Sequence, residues 1–258
     1  MVVKMTSRTG GQKTIRTVVD GVRMNARVSD GTAAGGPPVV LVHGLVVSGR
    51  YMVPTLERLA PFYPVYAPDL PGFGGSGKPA RALDIGGLSD ALAGWMREVG
   101  LGSAALVGNS VGCQVIAELA LCHPRLVERV VLQGPTIDPR GRNAPRQIGR
   151  LLLDIPREPP SLLAIEGLDL LRAGVGRSWR TFRYALEDPI TEKLAGVRVP
   201  ALVVRGSRDP ISPQRWAEEV ARLLPHGRLV VIPRAAHAAN YSAPGGFVHA
   251  IRPFLDGG

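Results

Sequence analysis

Cysteine is nearly absent from this 258-residue sequence, which holds only Cys113 and Cys122. Nine positions apart on one expected helix, they fall on opposite faces. That excludes a bridge between them, a disulfide-held scaffold and a metal pair; free thiols in a reducing cytoplasm are expected. Lysine is also scarce: Lys4, Lys13, Lys78 and Lys193 are the only ones among 31 basic residues. The remainder are arginines scattered singly, so the net charge of +10 is carried by no basic run. No stacking series of aromatics and no zinc spacing accompanies it, which argues against a nucleic-acid partner. No apolar run approaches the ~18–20 residues a membrane helix needs, so no membrane partner is expected. The segment before Gly36 has no apolar stretch leading to a small-residue cleavage site, so no export signal is expected either. No metal ligand set is visible.

What is present is a chain with 45% hydrophobic residues, long enough to bury about three-quarters of its unfolded surface in one core. The first dozen residues read as a loose tail. Thr14 to Val19 and Val22 to Ser29 flank Asp20-Gly21, a two-residue turn that closes a hairpin. Val39 to Val42 is a short continuous apolar run, the mark of a strand buried on both faces. From there helix-like and strand-like segments alternate: helices near Met52 to Ala60, Ser89 to Val99 and Val111 to Cys122, and strands at Val65 to Ala67, Ala104 to Val107 and Val127 to Leu132. The alternation resumes with strands at Ala201 to Arg205 and Arg228 to Ile232 and helices at Pro213 to Leu223 and Phe247 to Phe254. Such alternation specifies a mostly parallel sheet, here of eight strands, covered on both sides by helices. Between Thr136 and Val199 it fails. That stretch carries helical patterns, three prolines near its centre and ten arginines. It reads as an inserted helical cap, residues 137–198, within a core formed by 1–136 and 199–258.

Gly108-Asn109-Ser110-Val111-Gly112 lies directly after an apolar strand and directly before an apolar helix. In that context the serine sits on a strained corner with its hydroxyl above the sheet, and the glycines let strand and helix pack closely. Gly72-x-Gly74-x-x-Gly77 matches a dinucleotide fingerprint, but it leads into Lys78-Pro79 rather than a helix and reads as a loop.

With this corner the sequence resembles the α/β-hydrolase superfamily from Thr14 to Leu255. His43-Gly44 after the strand Val39 to Val42 is similar to the superfamily's oxyanion loop. Asp69-Leu70-Pro71-Gly72-Phe73-Gly74 is similar to its loop after the next strand. Asp209 follows a strand where relatives carry an acid, and His237 follows the last strand where they carry a histidine.

The resemblance implies a triad of Ser110, Asp209 and His237. The chemistry asks for the same residue types: a serine hydroxyl is a weak nucleophile until an imidazole takes its proton, and a carboxylate must fix the imidazole tautomer. Asp138 is the alternative acid. The backbone N–H groups of Leu45 and Val111 are the implied oxyanion donors, although His43-Gly44-Leu45-Val46 lacks the glycine-rich continuation of many relatives. Serine rather than aspartate at the corner points to acyl transfer. Asn109, Trp179, Phe182 and Tyr241 are candidate substrate contacts, with Tyr184 and Leu186 as further candidates for the lining. Arg177, Arg180 and Arg183 form either a solvated helix face or a clamp for a substrate carboxylate.

The expected activity is cleavage of small or medium carboxylic esters by an acyl-serine route, with water and no cofactor. Two alternatives stay open: a carbon–carbon bond hydrolase acting on a vinylogous diketone acid, and a low-turnover receptor of the same fold. Activity is expected to fall as His237 protonates, around or below about 6.5.

Overall fold

The computed structural model describes residues 12–29 and 36–258, together with the backbone of 4–9. Its strands are β1 (Lys4–Thr9), β2 (Gln12–Val19), β3 (Val22–Ser29), β4 (Val39–Val42), β5 (Val65–Pro68), β6 (Ala104–Asn109), β7 (Val127–Gln133), β8 (Ala201–Gly206) and β9 (Gly227–Ile232). They form one sheet in the order β1-β2-β3-β5-β4-β6-β7-β8-β9. The pairings from β1 to β5 are antiparallel and the others parallel. All eight expected strands are present.

The ninth, β1, corrects the reading of a loose tail, pairing Lys4 with Arg16 and Thr9 with Gln12. Its polar composition hid it, because an edge strand is held by backbone hydrogen bonds and needs no apolar face. The hairpin turn falls where expected, with positive φ at both Asp20 (47°) and Gly21 (76°) and Val19 opposite Val22.

The helices are α1 (Val53–Leu59), α2 (Ile85–Glu98), α3 (Val111–Cys122), α4 (Ala144–Asp154), α5 (Pro160–Ala173), α6 (Val175–Glu187), α7 (Ile190–Leu194), α8 (Gln214–Leu223), α9 (Ala239–Ser242) and α10 (Pro244–Leu255). Helix α2 starts four residues before its expected beginning. Gly86 and Gly87 hide its first turn in the sequence, but the Asp84 carboxylate accepts the Gly87 N–H at 2.8 Å and caps it.

Strand alternation divides the interior in two. Val40, Val42, Leu106, Val130, Leu132 and Val203 face one core, shared with α2, α3 and Trp216 of α8. Val39, Leu41, Val107, Val131, Leu202 and Val204 face the other, shared with α1 and α10. Because each central strand serves both cores, its sequence is a continuous apolar run.

The chain leaves β4 first for β5 on one side and then, through α2, for β6 on the other. That reversal opens a crevice above the carboxyl ends of β4 and β6, where open parallel sheets hold ligands. Helices α4 to α7 all lie between β7 and β8, and that segment contains no strand. Two buried carboxylates tie it down. Asp169 of α5 accepts Ser48 Oγ at 2.6 Å and Arg50 Nη2 at 2.7 Å. Asp138 accepts Arg150 Nη2 of α4 at 2.8 Å and both terminal nitrogens of Arg215 in α8. No helix among the described residues is long and apolar enough to cross a membrane.

Candidate active site

Strand β6 ends at Asn109 and α3 begins at Val111, leaving Ser110 alone to turn the chain with φ 56° and ψ −120°. Such a conformation costs a non-glycine residue about 1–3 kcal/mol and persists only where its surroundings impose it. Here Ser110 N–H donates to Gln133 O at 3.0 Å, and Ser110 O accepts the Cys113 N–H at 2.9 Å. The flanking glycines are sterically required: a Cβ on Gly112 would lie 2.4 Å from Val42 O, and one on Gly108 would lie 2.7 Å from Gly112. Cys113 is buried, with Sγ 3.2 Å from Gly108 O, and burial pushes its thiol well up. It packs and does not react.

The loops after β8 and β9 bring Asp209 and His237 together. Asp209 Oδ1 accepts the N–H groups of Ile211 (2.8 Å) and Ser212 (2.9 Å), which leaves Oδ2 for His237 Nδ1 at 2.8 Å. This fixes the imidazole proton on Nδ1 and makes Nε2 the proton acceptor. Nε2 is buried and has no hydrogen-bond partner; Ser110 lines the same cavity as His237 without bonding to it. The ring fits because residue 134 is glycine, with φ 55°: a Cβ there would lie 2.8 Å from both Cε1 and Nδ1 of His237. Asp138, the alternative acid, is committed to Arg150 and Arg215. Burial opposes ionisation, but those guanidiniums outweigh it and hold the carboxyl below its ordinary range.

His43 sits beneath the loop that follows β4. Its Nε2 accepts the Leu70 N–H at 2.9 Å, so the proton lies on Nδ1, which donates to Gly44 O at 2.8 Å. Burial lowers its pKa and keeps it neutral. Asp69 organises the neighbouring loop, accepting Gly49 N–H and Gly75 N–H, both at 2.7 Å. Val46, a β-branched residue, is held at φ 54° beside Leu45. No backbone carbonyl among the described residues accepts the Leu45 N–H. Val111 is the first residue of α3, so its N–H has no partner within the helix.

Ser110 and His237 open on a cavity of about 190 Å³. Its wall includes Leu45, Asn109, Val111 and Phe182, as expected from the sequence. Trp179 and Tyr241 are not part of it. Trp179 stands half-exposed against Phe182, ring centroids 5.6 Å apart, because it lies on the outer side of α6. Tyr241 turns away and stacks on Tyr51 at 5.9 Å, over a separate depression. Tyr184 and Leu186 lie off the wall as well. The three arginines of α6 form no clamp: Arg177 donates to Pro79 O and Arg81 O, Arg183 pairs with Glu187, and Arg180 is exposed. Asn109 is fixed by Gln133 Oε1 at 2.7 Å and by the Tyr51 hydroxyl at 3.1 Å, which is also 3.0 Å from Asn240.

Sequence reasoning missed Asp154, Glu158 and Glu166, three carboxylates of the insertion that line this cavity. Asp154 and Glu166 are acids set among apolar residues, which is the one signal the sequence offered; Glu158, between Arg157 and Pro159, offered none. Asp154 accepts the His237 N–H at 3.4 Å and Glu158 the Ala238 N–H at 2.6 Å. Burial raises the pKa of all three, Glu166 to about 7. They also correct the expected titration of His237. Burial pulls the imidazole down, but Asp209, Asp154 and Glu158 together raise it to about 9.

The alpha/beta hydrolase family model matches residues 39–250. The chain belongs to the alpha/beta hydrolase family. It is a hydrolase by that membership and by its relatives. Over 245 residues it is 30% identical to a pimeloyl-[acyl-carrier protein] methyl ester esterase of Neisseria meningitidis serogroup B, covering 85% of this chain and 93% of the relative. An (E)-2-((N-methylformamido)methylene)succinate hydrolase of Acinetobacter baylyi is 26% identical over 241 residues, with 86% and 91% covered. A thermophilic esterase from Thermogutta terrifontis superposes with a TM-score of 0.78 at 26% identity, covering 93% of this hydrolase and 98% of that chain.

Proposed function

We propose that this hydrolase cleaves carboxylic esters through an acyl-serine intermediate. The observation that carries the reading is the state of His237: its Nδ1 is held by Asp209, and its buried, unpartnered Nε2 belongs to the same cavity wall as Ser110. Rotation of the Ser110 side chain brings Oγ to Nε2, the nitrogen takes the proton, and Oγ attacks the ester carbonyl. The N–H groups of Leu45 and Val111 receive the negative oxygen of the tetrahedral intermediate, a contribution of about 3–4 kcal/mol for one such donor. The alcohol leaves with the proton from Nε2, and water releases the acid by the same steps in reverse order. Asn109 holds the corner and Phe182 the acyl chain. Residues 137–198 act as a cap that sets substrate choice, as the positions of Asp154, Glu158 and Phe182 in the wall support. That no arginine among the described residues lines the wall favours the ester reading over a diketone acid.

A fluorophosphonate probe followed by peptide mass spectrometry is expected to mark Ser110, and Ser110→Ala to lower turnover by about a million-fold. An unmodified Ser110 in the wild type, or near-normal turnover by the variant, overturns the reading.

A further inference from the structure

The cavity beside Ser110 has an unusual charge pattern. Asp154, Glu158 and Glu166 all line it, whereas among the described residues no lysine or arginine does, and His237 is the one basic side chain. Arg157, which acts on Asp154 from its own segment, is exposed and off the wall. Arg150, the other cation nearby in sequence, is bound to Asp138 and Ile211 O. Two further polar atoms of the wall are buried without partners, Glu158 Oε2 and Thr136 Oγ1; Glu158 is 9% exposed and Thr136 5%. A carboxylate oxygen can only accept, and a hydroxyl can accept as well as donate. The wall is therefore short of hydrogen-bond donors and of positive charge together, and leaving buried acceptors and charges unpaired is costly.

We propose that the substrate of this hydrolase carries a protonated amine, whose ammonium group is seated on the unpartnered Glu158 Oε2, with Glu166 and Asp154 adding negative charge and Thr136 a hydroxyl from the same wall. An ammonium brings three N–H donors and one positive charge, which is what the wall lacks. A metal ion does not fit equally well: among the described residues no three His, Cys, Asp or Glu side chains are grouped to ligate one. Burial raises the carboxyl pKa of all three acids in spite of the opposing pull of His237, which agrees with a wall short of positive charge. The same wall rejects a carboxylate near the scissile bond, so a substituted succinate of the kind named for the Acinetobacter baylyi relative is a poor substrate here. Seating the ammonium also relieves His237 of the charges that keep its proton on, so the substrate promotes its own general base.

This inference rests on the ester reading, and the experiment separates the two. Methyl esters of ω-amino acids with chains of four to eight carbons are compared at pH 8 with their neutral isosteres, in which methyl replaces ammonium, and with the matching dicarboxylate half-esters. At one chain length or more, kcat/KM for the ammonium ester is expected to exceed that of its neutral isostere by about tenfold, with the half-ester about tenfold below the isostere. Glu158→Gln is expected to bring the ammonium-to-neutral ratio to within about threefold of one; because Glu158 also holds the Ala238 N–H, Glu166→Gln serves where that variant does not fold. Equal rates for ammonium and neutral esters at every length, or a ratio unchanged in the variants, overturns the proposal. In parallel, hexylammonium, hexanol and hexanoate are titrated into Ser110→Ala by calorimetry. Tighter binding of hexylammonium with no ester turnover by the wild type leaves the subsite standing and removes the ester reading; ester turnover with no preference for hexylammonium does the reverse.

Discussion

His237 stands between opposing influences, and their balance sets when the site works. Burial disfavours the imidazolium, but Asp209 bonded to one nitrogen and two further acids from the insertion hold the proton on up to about pH 9. A general base must be unprotonated, so turnover of a neutral ester is expected to rise with pH and to reach its half-maximum near 9. Asp154→Asn removes one of the charges that raise the imidazole, and the half-point is expected to move down toward the ordinary histidine value of about 6.5. Initial rates between pH 6 and 10 check both; a wild-type half-point near 6.5, or no movement in the variant, contradicts the account. This is also where residue-level reading of the sequence ran out. Ser110, Asp209 and His237 were legible because each lies just beyond an apolar strand, in the order that the superfamily resemblance implies. Asp154, Glu158 and Glu166 were not, because their approach to His237 depends on how α4 and α5 fold back over the sheet, and no local pattern encodes that.

The strand ends show a similar division. β4, β6, β7 and β8 were readable from three or four apolar residues in a row, since burial on both faces favours no other composition there. β1 was not readable, because its polar sequence carries no apolar alternation. The joint after β7 was equally silent: Gln133-Gly134-Pro135 reads as an ordinary turn, yet Gly134 is the floor on which the His237 ring rests. Gly134→Ala is expected to displace the imidazole, with kcat reduced by about a hundredfold. It also places a Cβ at φ 55°, which costs about 1–2 kcal/mol of stability. Single-turnover kinetics and urea unfolding measure the two effects; unchanged kcat in a folded variant would refute the steric argument.

At the scale of the whole molecule, the segment between β7 and β8 is fastened to the rest by dispersed polar contacts, among which Asp169 is fully buried. It receives Ser48 Oγ and Arg50 Nη2 from the segment between β4 and α1. Asp169→Ala leaves the Arg50 guanidinium without its partner and is expected to cost on the order of 3 kcal/mol. Limited proteolysis is expected to cut first within residues 144–173, faster than in the wild type, while the strands stay protected. Uniform cleavage along the chain would show that the fastening lies elsewhere. The two-layer core and the order of elements were legible from periodicity alone; the route of the insertion was not, because its helices expose much of their apolar surface. Ile148, Leu152, Leu153, Leu168, Leu171 and Val175 are all exposed, so burial periodicity gives no guide to their packing.

On the proposed function and subsite, bond breaking and headgroup choice are written in different parts of the polypeptide. Ser110, Asp209 and His237 hang from β6, β8 and β9, whereas the acids around them arrive on the helices between β7 and β8. Exchanging residues 144–187 for a segment with another charge pattern would retune both what the enzyme accepts and the acidity at which it runs, and leave the nucleophile's corner untouched. Selection can thus act on appetite and on working pH through one stretch of chain, at no cost to the machinery beneath.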